Sequence, residues 1–144
     1  MRRILVPIDP TQPARTRSAI DEIVQICKNE QVTVSLLRVQ PKVNRHVAMF
    51  FGTEELGQLH QTWGDEELEF ARSLLDAAGV SYTSTVLVGR SAETIVAAAR
   101  DLGCDRIVFG RAAEPSLAGR VFGSLAQQVR GMLGTRSDFQ VIGS

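Results

Sequence analysis

Residues 106–129 read RIVFGRAAEPSLAGRVFGSLAQQV, and this stretch decides the fold. Ile107, Val108 and Phe109 form a short apolar run bounded by Asp105 and Gly110. A strand buried on both faces has this pattern. A polar loop is expected from Arg111 to Arg120. Phe122, Leu125, Val129, Met132 and Leu133 then fall at helical spacing, so a helix is expected with Gly123 and Ser124 in its first turn. A strand, a long loop and a helix start can aim unpaired backbone N–H groups and a positive dipole end at an anion. From local chemistry alone, a surface connection with an ordinary helix cap carries more weight.

Outward from this stretch, apolar strands alternate with helical patterns. Arg3 to Ile8 has strand length and runs into Asp9. Asp9-Pro10-Thr11-Gln12-Pro13 reads as a turn, with Pro13 in a first helical turn and Thr11 or Gln12 as its cap. Ile20, Ile23, Val24 and Cys27 make that helix's apolar face. Val32 to Val39 is a second strand, stopped by Pro41. Lys42 to Trp63 is expected to be a loop with at most a short helical piece, and Phe50, Phe51 and Trp63 to pack over a sheet edge or a dimer surface. A helix follows through Leu68, Ala71, Leu74 and Leu75 and ends at Gly79. Val80 to Val88 is a third strand. Ser91 is expected to cap a helix with Ile95, Val96, Ala99 and Leu102 on its buried face and Gly103 at its end. Gly134 to Asp138 reads as a turn and Phe139 to Ile142 as a final strand. The alternation predicts a mostly parallel sheet covered on both faces, with right-handed crossovers.

Composition narrows the class. The 144 residues suit a single domain over residues 1–144, with 44% apolar and 22% charged residues. Sixteen basic and sixteen acidic residues cancel, which removes the electrostatic reason to expect general binding to nucleic acid or an anionic membrane. No apolar run approaches the ~20 residues that span a bilayer. Met1-Arg2-Arg3 leads straight into a strand rather than into the apolar core of a signal peptide. Cys27 and Cys104 sit far apart in apolar contexts, as expected for reduced, packed thiols in a cytoplasm.

Two segments resemble the universal stress protein family. Its C-terminal signature is a glycine, two residues, a glycine, nine residues, then Gly-Ser or Gly-Thr. Gly110 and Gly123-Ser124 stand at the ends with the spacing kept, and Ala113 replaces the second glycine. Ile4-Leu5-Val6-Pro7-Ile8-Asp9 is similar to the family's first strand, which ends in an aspartate at the nucleotide site. The resemblance covers nearly the whole chain and is weakest between Pro41 and Gly64. It implies an open, doubly wound α/β fold of the adenine-nucleotide alpha-hydrolase-like, Rossmann-like kind. Its mostly parallel sheet would have five strands in the order 3-2-1-4-5, with helices on both faces. That order sets Asp9 and Gly110 at the ends of neighbouring strands where winding reverses, the place where open α/β sheets bind ligands.

By position, the resemblance implies that Pro7, Asp9 and Val39 line the base and ribose of an adenine nucleotide, with Phe109 beside the base. Gly110, the backbone around Ala113, Gly123, Ser124 and Leu125 would meet phosphates. Arg111 and Arg120 could supply charge, although a solvated loop face is the plainer reading of each. The implied cofactor is ATP or another adenine nucleotide, with Mg²⁺. Several departures predict weak binding. Alanine at a left-handed position costs roughly 1–2 kcal/mol. The Glu114 carboxylate near a phosphate would oppose it by ~1–4 kcal/mol. Pro115 removes a donor, and Pro10 stands where the family usually has glycine. Together these weaken affinity by a factor on the order of ten to a thousand. A dimeric interaction protein of the same fold without nucleotide is the alternative.

Other chemistry fits poorly. Gly52 to Gly57 has phosphate-loop spacing, but Gln58 stands where lysine is needed. Gly89-Arg90-Ser91-Ala92-Glu93 lacks the closing glycine of a nucleophile elbow. His46 and His60 have no metal-ligand spacing with either cysteine and are expected on the surface or in a loop. No nucleophile–base pair is evident, so little or no turnover is expected, at most slow ATP hydrolysis or self-phosphorylation. The resemblance also implies a homodimer, formed through the edge strand Phe139 to Ile142.

Overall fold

The computed structural model describes residues 2–42, 49, 52–111, 117–133 and 140–143, without the side chains of 117–124. Its elements are β1 (Arg2–Pro7), α1 (Pro13–Asn29), β2 (Val32–Gln40), α2 (Thr53–Ala77), β3 (Tyr82–Val88), α3 (Ser91–Asp101), β4 (Arg106–Gly110), α4 (Leu117–Leu133) and β5 (Gln140–Gly143). The strands form one five-stranded sheet in the order β3-β2-β1-β4-β5. Every pairing is parallel. This is the predicted order, with the winding reversing between β1 and β4.

The strand sequences are continuous apolar runs because both sheet faces are covered. Ile4, Leu5 and Val6 of β1 are all fully buried. Side chains alternate across a strand, so Leu5 joins Leu37, Ile95, Ile107 and Val129 beneath α3 and α4. Ile4 and Val6 join Ile23, Val34, Leu68 and Val108 beneath α1 and α2. Gly79 and Gly103 follow α2 and α3 with φ of 72° and 68°, the left-handed closing conformation that glycine adopts freely.

Three expectations need correction. Helix α2 begins at Thr53, so the segment before Trp63 is helical rather than a loop. Its buried stripe runs through His60, Gly64, Leu68, Ala71 and Leu75, and Glu54 and Glu55 lie in a first turn that favours acidic groups. Histidine and glycine on that stripe hide the helical period. Helix α4 begins at Leu117, so Gly123 and Ser124 lie inside the helix rather than in its first turn. Leu117, Ala118 and Arg120 are good helix formers. Ser91 is the first residue of α3 and not its cap; extended Arg90 holds that place without a side-chain bond. At α1, Gln12 is the cap residue and Pro13 opens the helix, as expected. Phe50, Phe51, His46 and the turn expected at 134–138 lie outside the described residues.

α2 lies on the sheet at Gly64. A Cβ there would stand 2.3 Å from Val86 Cγ1, and valine has little rotamer freedom with which to yield. Gly64→Ala should therefore destabilise the protein by about 1–3 kcal/mol, although alanine is intrinsically the better helix former. Urea denaturation checks this, and an unchanged or raised midpoint would contradict it.

Candidate functional site

β1 ends at Pro7, and Ile8 still donates its N–H to the Leu37 carbonyl at 2.9 Å. The chain then turns at Asp9, whose carboxylate organises the loop. Oδ1 accepts from the Thr11 N–H at 2.9 Å and from the Thr11 hydroxyl at 2.6 Å, while Oδ2 accepts from Gln12 Nε2 at 2.8 Å. Burial pushes the Asp9 pKa up. The hydrogen bonds from Thr11 and Gln12, with the Arg38 charge, outweigh it and hold the carboxyl below its ordinary value.

The bond network continues into β4. Gln12 Oε1 accepts from Arg15 Nε at 2.9 Å, and Arg15 Nη1 donates to the Gly110 carbonyl at 3.1 Å. Arg15 is only 2% exposed. Gly110 has a φ of 75°, and a Cβ on it would lie 2.3 Å from the Arg15 carbonyl oxygen. The glycine that opens the signature is thus required by the packing of α1. The next residue, Arg111, donates its N–H to Ser18 Oγ at 3.1 Å.

A pocket of about 120 Å³ opens at the ends of β1 and β2. Pro7, Asp9, Val39 and Leu125, four of the predicted residues, line it. Ile8, Leu37, Arg38, Ser91 and Ile95 complete the lining and were not foreseen. Leu37 was legible in principle, because it pairs in register with Pro7. Phe109 does not line the pocket: it is 1% exposed and packs in the core of the α3–α4 face. Ala113 lies outside the described residues, as do the side chains of Arg120 and Ser124. Inside α4, the N–H groups of Gly123 and Ser124 belong to the helical ladder rather than to a free N-terminus.

His60 was expected on the surface, yet it is buried and its Nδ1 is hydrogen-bonded to Gln40 Oε1. Both cysteines are free, and burial pushes their thiol pKa values up. No described helix is long and apolar enough to cross a membrane.

The sheet order, with its reversal between β1 and β4, and the helices on both faces define an open, doubly wound, Rossmann-like α/β fold. The family model of the universal stress proteins matches residues 1–131, and the chain belongs to that family. No curated protein sequence matches it. Among solved structures, the universal stress protein of Archaeoglobus fulgidus is 20% identical, with 99% of this chain and 98% of that one covered and a TM-score of 0.68. The same protein in complex with dAMP is 20% identical, with 99% and 97% covered and a TM-score of 0.66. An Arabidopsis thaliana protein of the family with AMP bound is 15% identical, with 99% and 90% covered and a TM-score of 0.58.

Because the folded pKa of Asp9 is depressed, its stabilisation is complete above the unfolded value of about 3.9 and is lost as pH falls through the folded value. Asp9→Asn should cost about 1 kcal/mol near neutral pH, and the difference from wild type should close below about pH 4. Denaturant titrations across that range test this. A gap that persists in acid would show that the negative charge does not hold the turn.

Proposed function

We propose that this protein is a cytoplasmic stress-response binding module that takes adenine nucleotide weakly at the ends of β1 and β2. The observation that carries this reading is the convergence of Pro7, Asp9, Val39 and Leu125, from three distant parts of the chain, on one pocket. Leu37, Val39, Ile95 and Leu125 offer apolar walls to a base, and Asp9 and Arg38 offer polar groups at the same pocket. The binding of dAMP and AMP by proteins of the same fold supports the choice of ligand.

The same geometry argues for weak binding. Sites that enclose a drug-sized ligand measure roughly 300–1,000 Å³, and this pocket measures about 120 Å³. It suits a base and part of a ribose. With Gly123 and Ser124 inside α4, phosphates gain few backbone donors there and depend on Gly110, the backbone around Ala113, and the charge of Arg111 and Arg120. Mg²⁺ would arrive on the phosphates, since both Asp9 oxygens already accept hydrogen bonds within the loop. Turnover is not part of this role. The unpaired outer edge of β5, among the described residues, offers a second copy a strand to pair with and so a route to a homodimer. Phe139 of that expected interface lies outside the described residues. The small pocket and the long α4 favour one other reading, a nucleotide-free interaction protein of the same fold.

Calorimetry of nucleotide-stripped protein with AMP and with Mg·ATP separates the two. We expect dissociation constants on the order of 0.1–1 mM, with AMP and ATP within about tenfold of each other. Ser91→Phe, at an exposed helix start that lines the pocket, should abolish binding. Neither heat nor thermal stabilisation at millimolar nucleotide would leave the nucleotide-free reading standing.

A further inference from the structure

Trp63 is the single tryptophan of the chain, and 38% of it is exposed. It is nonetheless held in place from below. The His60 ring meets it edge to face, with centroids 5.7 Å apart and planes at 85°. His60 is fixed by Gln40, and Gln40 Nε2 donates to Glu67 Oε1 at 2.6 Å. Glu67 Oε2 in turn accepts from Arg38 Nη2 at 3.0 Å. His60 and Gln40 are 7% and 4% exposed. A buried polar chain therefore sets the orientation of an exposed indole, an arrangement that core packing does not require.

Beside this indole lies a cavity of about 510 Å³, bordered by Arg38, Pro41, His60, Trp63, Glu66 and Glu67 among others. Its volume falls within the roughly 300–1,000 Å³ of small-molecule sites. Its charge is uneven. Arg38 is matched by Glu67, while the exposed carboxylate of Glu66 pairs with no described residue. Among the described residues, the wall is left net negative next to an aromatic ring. Among the described residues, no group of His, Cys, Asp and Glu could hold a metal ion.

An aromatic face with a free carboxylate beside it suits a cation that also carries apolar surface. The ring quadrupole attracts the charge, the carboxylate accepts its N–H groups, and Pro41 and the indole cover its carbon atoms. We infer that the cleft between the end of β2 and the first half of α2 is a second ligand site, for a small organic cation with a guanidinium or alkylammonium head. Trp63 and Glu66 contact the head, and the His60–Gln40–Glu67–Arg38 chain positions the indole. The site shares Arg38 with the nucleotide pocket but does not need that pocket occupied.

Trp63 reports on the site directly. The full-length protein is titrated with methylguanidinium and with butylammonium at constant ionic strength, while tryptophan emission is followed. N-methylurea and butanol serve as neutral counterparts. Both cations should give a saturable change that the neutral molecules do not. Glu66→Gln should weaken binding by about three- to fivefold while leaving the thermal midpoint in place. Trp63→Leu, followed by NMR of the probe, should weaken it at least as much. Absence of a saturable response, an equal response to the neutral molecules, or undiminished binding by Glu66→Gln would each overturn the proposal. An AMP titration of the same Glu66→Gln protein should be unchanged, which keeps this site distinct from the first.

Discussion

One buried guanidinium ties the ends of β1 and β4 together. Arg15 donates to the Gly110 carbonyl at the end of β4 and to Gln12, which in turn donates to Asp9 at the end of β1. Burying a charge is costly unless it is fully bonded. The loop after β1, the start of α1 and the end of β4 must therefore keep this arrangement together. Gly110 makes it sterically possible, because any side chain would strike the α1 backbone at Arg15 and Ala19. The loop that carries Asp9 to the pocket is thus tied by packing to the end of β4.

Much of the fold was legible because burial on both faces leaves a plain mark. Runs such as Ile4 to Val6 and Ile107 to Phe109 are continuous and apolar, and helical faces such as Ile95, Val96 and Ala99 recur at the expected interval. What escaped depends on partners distant in sequence. His60 reads as a loop histidine until Gln40, on a different element, is seen to bond it. The place of Gly64 on its helix depends on Val86, pressed against it from β3. Only the fold brings Gly110 to Arg15. The start of α4 escaped for a different reason: Leu117, Ala118 and Arg120 are helix-forming residues that stand among the proline, serines and glycines of a loop-like stretch.

The site was legible in part. The family resemblance, carried over by position, picked out Pro7, Asp9, Val39 and Leu125, and all four border one pocket. Phe109 lies in the same core cluster as Leu37, Val39 and Ile95 but on β4, which does not border the pocket. Arg38 was overlooked, although it borders both the nucleotide pocket and the larger cavity beside Trp63. Its charge lowers the Asp9 pKa on one side and meets Glu67 on the other. The two cavities thus share one side chain and differ in character, the first small and apolar-walled, the second roomy and net negative.

The most direct test of the central claim is an amide NMR titration of the isotopically labelled protein with AMP to millimolar concentration. The account predicts that the largest shifts fall on Ile8, Asp9, Val39, Ser91 and Leu125, around the pocket at the ends of β1 and β2. A spectrum unmoved by AMP, or shifts gathered around Trp63 and Glu66 instead, would contradict it.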